Sequence, residues 1–345
     1  MDLESRMQVI TEREYNRLAA NVWYPSITKL RPSTGRRDVI MWLLSTAQIR
    51  DQGKGGNINY SDLVSTYTEI ENKFAGDGLK LSKAQLTDTD GGGMDLAGQW
   101  SGDIGAYMAY WPQKQATDVL KKGHLLAGSG GYTGYDTKAF FAADHPVNPF
   151  NLNAGTYCNL LTGAPVAASG NTPAIPGTCP IDDSVSLDTA LINMGKIFSY
   201  IASIRMPNGE DPRFLRPSTL LVPPRMYPRA VQLTSAKFLA QVASSGAGSA
   251  DVEALIKALG FATPRMADEL AGFESDTTFY VGCETIQTSQ LGAVLYTERE
   301  PFAINYYGTV DQAVLGRAQE LEWQCHGRNV ISPGHPYLLI KCKGS

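Results

Sequence analysis

Residues 91–123, GGGMDLAGQWSGDIGAYMAYWPQKQATDVLKKG, read as one unusually long helix, and no other stretch constrains the fold as tightly. Leu96, Trp100, Ile104, Met108, Trp111 and, after a gap, Val119 recur at spacings of three and four, with Tyr107 and Leu120 beside them. Such a stripe puts one helix face against a core. Gly91-Gly92-Gly93 marks a flexible approach, Asp90 or Asp95 suits the positive helix start, and Lys121-Lys122-Gly123 is a stop signal. At about 1.5 Å per residue the helix runs roughly 45 Å. Pro112 lies inside it, where a proline removes a backbone bond at a cost of about 3 kcal/mol, so a bend is expected. Alone, the pattern also fits a core helix of an α/β enzyme.

The stretch before this helix is of the opposite kind. Val39–Leu44, VIMWLL, reads as a short strand or helical turn that is apolar on both faces, and residues 51–62, DQGKGGNINYSD, read as a mobile tip. From Thr66 to Phe74 the residues alternate: Thr66, Thr68, Ile70 and Phe74 point one way, Glu69, Glu71 and Lys73 the other. Residues 36–82 therefore read as a two-stranded excursion. An isolated ribbon is marginal in water. A neighbouring copy of the chain is one source of the surface it lacks, and Thr66, Thr68, Ile70 and Phe74 are the candidate contact residues between subunits.

Around these two features the chain alternates helices and strands. Residues 2–22 read as a helix and 22–38, with Pro25, Pro32 and several basic residues, as an extended arm. Residues 128–135 form a glycine-rich turn, and 151–184, sparse in charge and without periodicity, an ordered insertion or long loop. Ser186 caps a helix whose inner face is Leu187, Ala190, Leu191, Met194, Ile197, Phe198 and Ile201. Pro207-Asn208-Gly209 makes a turn, Thr219–Val222 a buried strand stopped by Pro223-Pro224, and 225–242 another helix. A small-residue loop at 243–250 and a short helix at 251–260 follow. The remainder reads as strands at 278–282, 293–297, 303–307, 320–326 and 337–342, with a hairpin end at 312–316.

A chain of 345 residues is long enough for two or three domains. A net charge of −4 argues against a dedicated nucleic-acid binder. The 34 glycines and 19% charged residues suit extended parts with much surface buried against partners. Cys158, Cys179, Cys283, Cys325 and Cys342 are scattered, which suits free thiols in a reducing compartment; a loop disulfide between Cys158 and Cys179 is the alternative. The N-terminus shows no signal-peptide pattern, and no apolar run approaches the roughly 20 residues of a membrane span.

The order of WPQKQATDVLKKG at the end of the long helix, YDTKAFFAADHPVNP at 135–149 and RPSTLLVPPRMYPRAVQL at 216–233 resembles the major head subunit family of Mu-like phages. The ending, LEWQCHGRNVI at 321–331 and then HPYLLIKCKGS at 335–345, is similar to that of tailed-phage capsid proteins. Over residues 36–345 the resemblance implies an α+β chain with the Hong Kong 97 type capsid fold. Residues 1–35 would be an N-terminal arm, and 36–82 an extended β-ribbon loop lying over a neighbour. Residues 83–183 would be a peripheral domain with spine helix 91–123 and insertion 151–184, followed by an axial domain at 184–290. Residues 291–327 would be peripheral return strands, with a tip near 311–316 at three-fold contacts, and 328–345 the axial C-terminal strand. The implied function is a major capsid protein self-assembling into hexamers and pentamers of an icosahedral shell around double-stranded DNA. Implied partners are further copies of itself, scaffolding, portal and decoration or cement proteins, and packaged DNA held without sequence preference. No membrane is involved. The implied location is the virion, assembled in the host bacterial cytoplasm.

An enzyme reading must find a site. Asp144-His145-Pro146 fits one end of a catalytic pair, but a histidine before proline in a turn is more often structural. His124, His326 and His335 lack metal-ligand spacing, and no HExxH occurs. Cys325 and His326 are adjacent and face opposite sides of a strand. The GSGGYTG turn is not GxGxxG, and neither a phosphate-binding GxxxxGK[ST] nor a GxSxG nucleophile elbow is present. Asp182-Asp183 and Asp88 with Asp90 read as helix-start or loop acids, and Lys54 as a solvated lysine. No catalytic residue, metal ligand or cofactor is assigned. The alternatives are an encapsulin-like nanocompartment shell of the same fold and a soluble α/β enzyme.

Overall fold

The computed structural model describes residues 3–43, 65–82, 92–234, 263–285, 292–307 and 320–344. Helix α1 is Leu3–Ala19. Strands β1 (Thr28–Pro32), β2 (Arg37–Leu43), β3 (Ser65–Glu71) and β4 (Lys73–Ser82) precede helix α2, Gly92–Lys122, which passes through Pro112 without interruption. Short strands β5 (His145–Pro146), β6 (Thr156–Tyr157) and β7 (Leu160–Leu161) lead to helix α3, Leu187–Ser203. Then come β8 (Leu215–Val222), helix α4 (Tyr227–Thr234), β9 (Thr263–Met266), β10 (Thr278–Thr285), β11 (Val294–Tyr307), β12 (Glu320–Pro333) and β13 (Leu339–Lys343). The expected tip at 51–62, the loop and helix at 243–260 and the hairpin end at 312–316 lie outside the described residues.

The buried line of α2 follows the expected stripe only at Ile104, Val119 and Leu120. Ala97, Ser101, Ile104, Gly105, Ala109, Ala116, Val119 and Leu120 face inward, whereas Leu96 is 59% exposed and Tyr107 is also exposed. The physical reason is the neighbour. The first half of α2 packs on α1, and two helices approach closely only over small side chains. A Cβ on Gly105 would stand 2.4 Å from the Thr11 carbonyl oxygen. Thr11 Oγ1 donates to the carbonyls of Met7, at 3.0 Å, and Ser101, at 3.1 Å, which ties the helices at the crossing. The large side chains ride on the flank of that seam. Only past Pro112 do bulky residues, Val119 and Leu120, enter the main core.

Most of the described strands belong to two larger sheets. One has the order β1-β11-β12-β4, with β1 parallel to β11 and the rest antiparallel. The expected strands at 293–297 and 303–307 are one continuous β11. Pro301 is accommodated because the register with β12 shifts between Glu298 and Glu300 and again before Ala303. The other sheet has the order β7-β13-β10-β8-β9, and α3 and α4 pack against it. Its core takes Phe140, Phe141, Tyr157, Phe279, Tyr280 and the inner face of α3. Ser186 caps α3, its hydroxyl accepting from the Thr189 amide at 3.2 Å. The segment after α1 is built in, not free: Trp23 and Ile27 are buried in this core and Thr28–Pro32 is an edge strand. The 151–184 stretch buries Tyr157, Cys158, Leu161, Cys179 and Ile181, and Cys158 and Cys179 are free thiols.

The close crossing of α1 and α2 gives a direct test. Gly105→Val should destabilise the subunit by roughly 1–3 kcal/mol, since the added side chain forces the helices apart. Leu96→Ala, at an exposed site on the same helix, should stay within about 0.5 kcal/mol. Urea denaturation of both variants reads the difference.

Candidate assembly surface

β2 and β3 pair antiparallel from Arg37 opposite Glu71 to Leu43 opposite Ser65, and form a separate two-stranded ribbon. In such a pair one face is set by every second residue. The inner face carries Ile40 and Trp42 from β2 with Thr66, Thr68 and Ile70 from β3. Ile70 is 6% exposed, in one cluster with Ile40, Trp42, Tyr135, Leu295 and Val330 of its own chain. Trp42 Nε1 donates to Thr68 Oγ1 at 3.0 Å, and its ring meets His335 edge-on at 4.3 Å and Tyr135 at 5.7 Å. The outer face carries Val39, exposed, Met41, 75% exposed, and Tyr67, 65% exposed. Arg37 lies 4.0 Å from Glu69 at the edge of this face, and Arg36 lies 2.8 Å from Glu71.

The four residues expected to form one contact between subunits are therefore split. Thr66, Thr68 and Ile70 face the chain's own body. Phe74 belongs to β4, because the strand breaks at Asn72, whose Nδ2 donates to Ser33 Oγ at 2.7 Å, Asp38 Oδ2 at 3.0 Å and Gly35 O at 3.1 Å. That turn resets the alternation and leaves Phe74 64% exposed, stacked on His326 at 5.7 Å. The apolar residues that face away from the body are Val39, Met41 and Tyr67, which the reading by alternation did not single out. Their signal was present in VIMWLL: a strand apolar on both faces has more to cover than its own core supplies.

His145 and the Cys325-His326 pair are engaged in packing and hydrogen bonds. His145 is fully buried; its Nδ1 lies 2.6 Å from Asp136 Oδ2, and its Nε2 lies 3.1 Å from Asn159 Oδ1 and 3.2 Å from Phe140 O. Both ring nitrogens are engaged, so neither is free for a substrate. Asn159 Nδ2 in turn donates to Phe140 O at 2.7 Å and Pro336 O at 3.0 Å, which pins the 135–161 loops to the C-terminal segment. Cys325 is buried while His326 is half-buried and within 3.3 Å of Asn305. Burial pushes the Cys158 thiol up to about 11, away from reactivity. Among the described residues no group of three or more histidine, cysteine or carboxylate side chains is placed to hold a metal, and no helix is long and apolar enough to cross a membrane. Lys54 lies outside the described residues.

His335, under the ribbon, is the titratable group of interest. Burial first, and then the nearby Arg213 cation, hold it down from 6.5 to about 3. A histidine lowered in the folded state contributes packing that is complete above the ordinary value and is lost as pH falls toward the folded one. Subunit stability should therefore be level above about pH 6.5 and fall below it, by about 2 kcal/mol near pH 5 from this group. Denaturant curves of His335→Phe, which keeps an aromatic ring under Trp42, should lack that component.

Residues 5–169, just under half of the chain, match the family model of the Mu-like prophage major head subunit gpT. No curated protein matches the chain. The mature capsid protein of bacteriophage PhiM1 aligns with a TM-score of 0.53 at 10% identity, over 94% of this chain and 87% of that one. The capsid protein of cyanophage P-SCSP1u aligns at 0.52 and 12% identity, over 94% and 88%. The procapsid of bacteriophage JBD30 aligns at 0.48 and 14% identity, over 99% and 75%. At these identities the likeness is one of fold. Over residues 5–169 the chain thus matches the Mu-like prophage major head subunits, and as a whole it has the Hong Kong 97 type fold of tailed-phage capsid proteins.

Proposed function

We propose that this chain is the major head protein of a tailed phage, which assembles into hexamers and pentamers of an icosahedral shell around double-stranded DNA. The observation that carries this reading is the ribbon of β2 and β3. Its inner face is satisfied by its own chain, and among the described residues its outer face of Val39, Met41 and Tyr67 stands exposed. Burying a methionine and a tyrosine side chain contributes roughly 1.5–3 kcal/mol each. A closed shell repeats the contact at every copy, so modest local energies sum to a durable particle.

In this reading residues 1–35 are the N-terminal arm and 36–82 the extended loop. Helix α2 and the four-stranded sheet form the peripheral domain, with 291–327 as its return strands. The five-stranded sheet with α3 and α4 forms the axial domain, which residues 328–345 rejoin. The chain acts structurally, without catalysis or cofactor. Scaffolding, portal and decoration proteins are its further partners, and it is assembled in the host cytoplasm and resides in the virion. The head-subunit match over residues 5–169 favours a genome-holding shell over a nanocompartment that houses an enzyme.

The deciding experiment compares two variants. Met41→Ser with Tyr67→Ser should leave the circular dichroism and denaturation midpoint of the subunit unchanged while particle yield collapses under electron microscopy. Ile70→Ser should instead lower the stability of the subunit itself, by about 2–4 kcal/mol, because its side chain belongs to an internal cluster. A wild-type chain that remains monomeric by light scattering across salt and concentration overturns the reading. Contact with packaged DNA should be weak, salt-sensitive and equal for unrelated sequences; filter binding that discriminates between duplexes of equal length contradicts it.

A further inference from the structure

The ribbon of β2 and β3 is tied down at its foot and only laid on the body along its length. At the foot, Asn72 Nδ2 donates to Ser33, Gly35 and Asp38, and the Asn72 amide donates to Arg36 O at 3.0 Å. Beyond the foot the polar bonds of the ribbon stay inside it: Trp42 to Thr68, and Arg36 and Arg37 to Glu69 and Glu71. Among the described residues no hydrogen bond or ion pair joins the underside of the ribbon to the body. The apolar cluster around Ile40, Trp42 and Ile70 holds it there.

The seat beneath is poorly matched. Thr297 stands opposite Val330 and Ser332 opposite Leu295, so both hydroxyls share the sheet face that meets the ribbon. Thr297 Oγ1, Ser332 Oγ and His335 Nδ1 are buried without a hydrogen-bond partner. Unmatched buried polar atoms weaken the docked state, and they regain partners from solvent once uncovered. Of the three, only His335 can gain a charge. Its ring lies between Trp42 of the ribbon, at 4.3 Å, and Tyr337 of the body, at 4.9 Å. The groups around it give an imidazolium no counter-charge. The Arg213 guanidinium, 3.8 Å over the Tyr337 ring, is already a cation. Tyr135 and Tyr337 are phenols that burial keeps neutral. Asp136, beside Tyr135, is engaged by His145 at 2.6 Å, and Asp38 by Asn72 at 3.0 Å.

We propose that His335 is a proton-operated latch: its neutral ring lets the ribbon lie on the body, and a proton on that ring releases the ribbon, which swings about Asn72 while the rest of the subunit stays folded. The fixed polar bonds are at the hinge, the moving part carries its own, and lifting Trp42 opens His335 to water, where charge is tolerated. The latch belongs to the single chain and does not rest on the shell-building reading. Burial and Arg213 hold the docked ring at about 3 against an ordinary 6.5, so docking is favoured above 6.5 and is lost as pH falls below it. The released population should rise about thirty-fold between about pH 7.5 and about pH 5.

The test is thiol labelling of the full-length chain carrying Val330→Cys, a site under the ribbon. A pyridyl disulfide, which reacts at acid pH, is the reagent, and peptide mapping assigns each label. Rates at the two pH values are divided by those of the unfolded chain, at one concentration and in one assembly state. The buried thiols Cys283 and Cys342 of the five-stranded sheet report unfolding of the subunit. The Val330→Cys thiol should react faster than these two at both pH values, with little dependence on low urea, since releasing the ribbon exposes little surface. Its rate should rise about thirty-fold at the lower pH, and this rise should be absent when His335→Phe or His335→Gln is added. Thr297→Val, which removes an unmatched hydroxyl at nearly constant shape, should slow labelling several-fold at both pH values. The denaturation midpoint checks that each variant is folded. Four results overturn the proposal. Labelling in step with Cys283 and Cys342 shows that the ribbon opens only when the subunit unfolds. A corrected rate equal at both pH values shows that no proton is coupled to release. A rise that persists in both His335 variants assigns the proton to another group. Faster labelling in Thr297→Val shows that the seat is matched.

Discussion

Helix α2 holds the molecule together because its two halves are buried against different cores. Near its start Ala97 packs with Met7 of α1 and with Leu81 and Trp323 of the four-stranded sheet. Near its end Ala116, Val119 and Leu120 sit in the main core, where Tyr280 Oη donates to the Leu120 carbonyl at 2.9 Å. Between them polar side chains act as pins. Gln115 Oε1 accepts from the Ile331 amide at 2.8 Å, and its Nε2 donates to Asn329 Oδ1 at 3.1 Å. Gln113 and Trp23 both donate to Glu269, at 2.5 and 3.0 Å. A 31-residue helix would gain little from its own backbone, and its stability comes from these contacts along its length.

The same logic governs the ribbon. Two strands alone cannot bury enough surface to persist, and here the inner face solves the problem within the chain by seating Trp42 between Tyr135 and His335. Because strand side chains alternate, that solution commits Val39, Met41 and Tyr67 to the opposite side. An apolar outer face is thus a geometric consequence of where Trp42 docks. In the proposed shell it becomes the contact that neighbours share.

Several polar groups in the interior are matched in pairs that hold loops in place. The His145–Asp136 pair and Asn159 join three segments. Lys341, 2% exposed on its side chain, reaches Glu274 at 2.5 Å, and Glu274 also accepts from Thr278 at 2.5 Å. Burial raises the Glu274 carboxyl, but these two donors outweigh it and leave it below its ordinary value. The pair anchors a turn in which Glu274, Ser275 and Asp276 all have positive φ, a conformation that side-chain-bearing residues adopt only when their surroundings enforce it. Paired buried charges specify one arrangement because removing either partner strands the other.

The order and type of the main elements were legible in the residues. The long helix, the Ser186 cap, the turn at Gly209, the strand halted at Pro223-Pro224 and the C-terminal strands all follow from periodicity and local backbone chemistry. So did the ribbon, and the two-sided apolar character of VIMWLL that hints at a second surface. What each face meets was not legible. In α2 the bulky residues fit a core stripe by spacing, yet the close approach of α1 selected Ala97, Ser101 and Gly105 instead. In the ribbon, alternation continued on paper through Asn72, but the three acceptors around its amide break the strand and turn Phe74 away from Ile70. Residues 293–297 and 303–307 read as two strands, and β11 runs through both, with its register to β12 shifting on either side of Glu300. Periodicity is a property of one segment and is written in its sequence. The partner of each face depends on distances between segments far apart in the chain, and those exist only once the chain has folded.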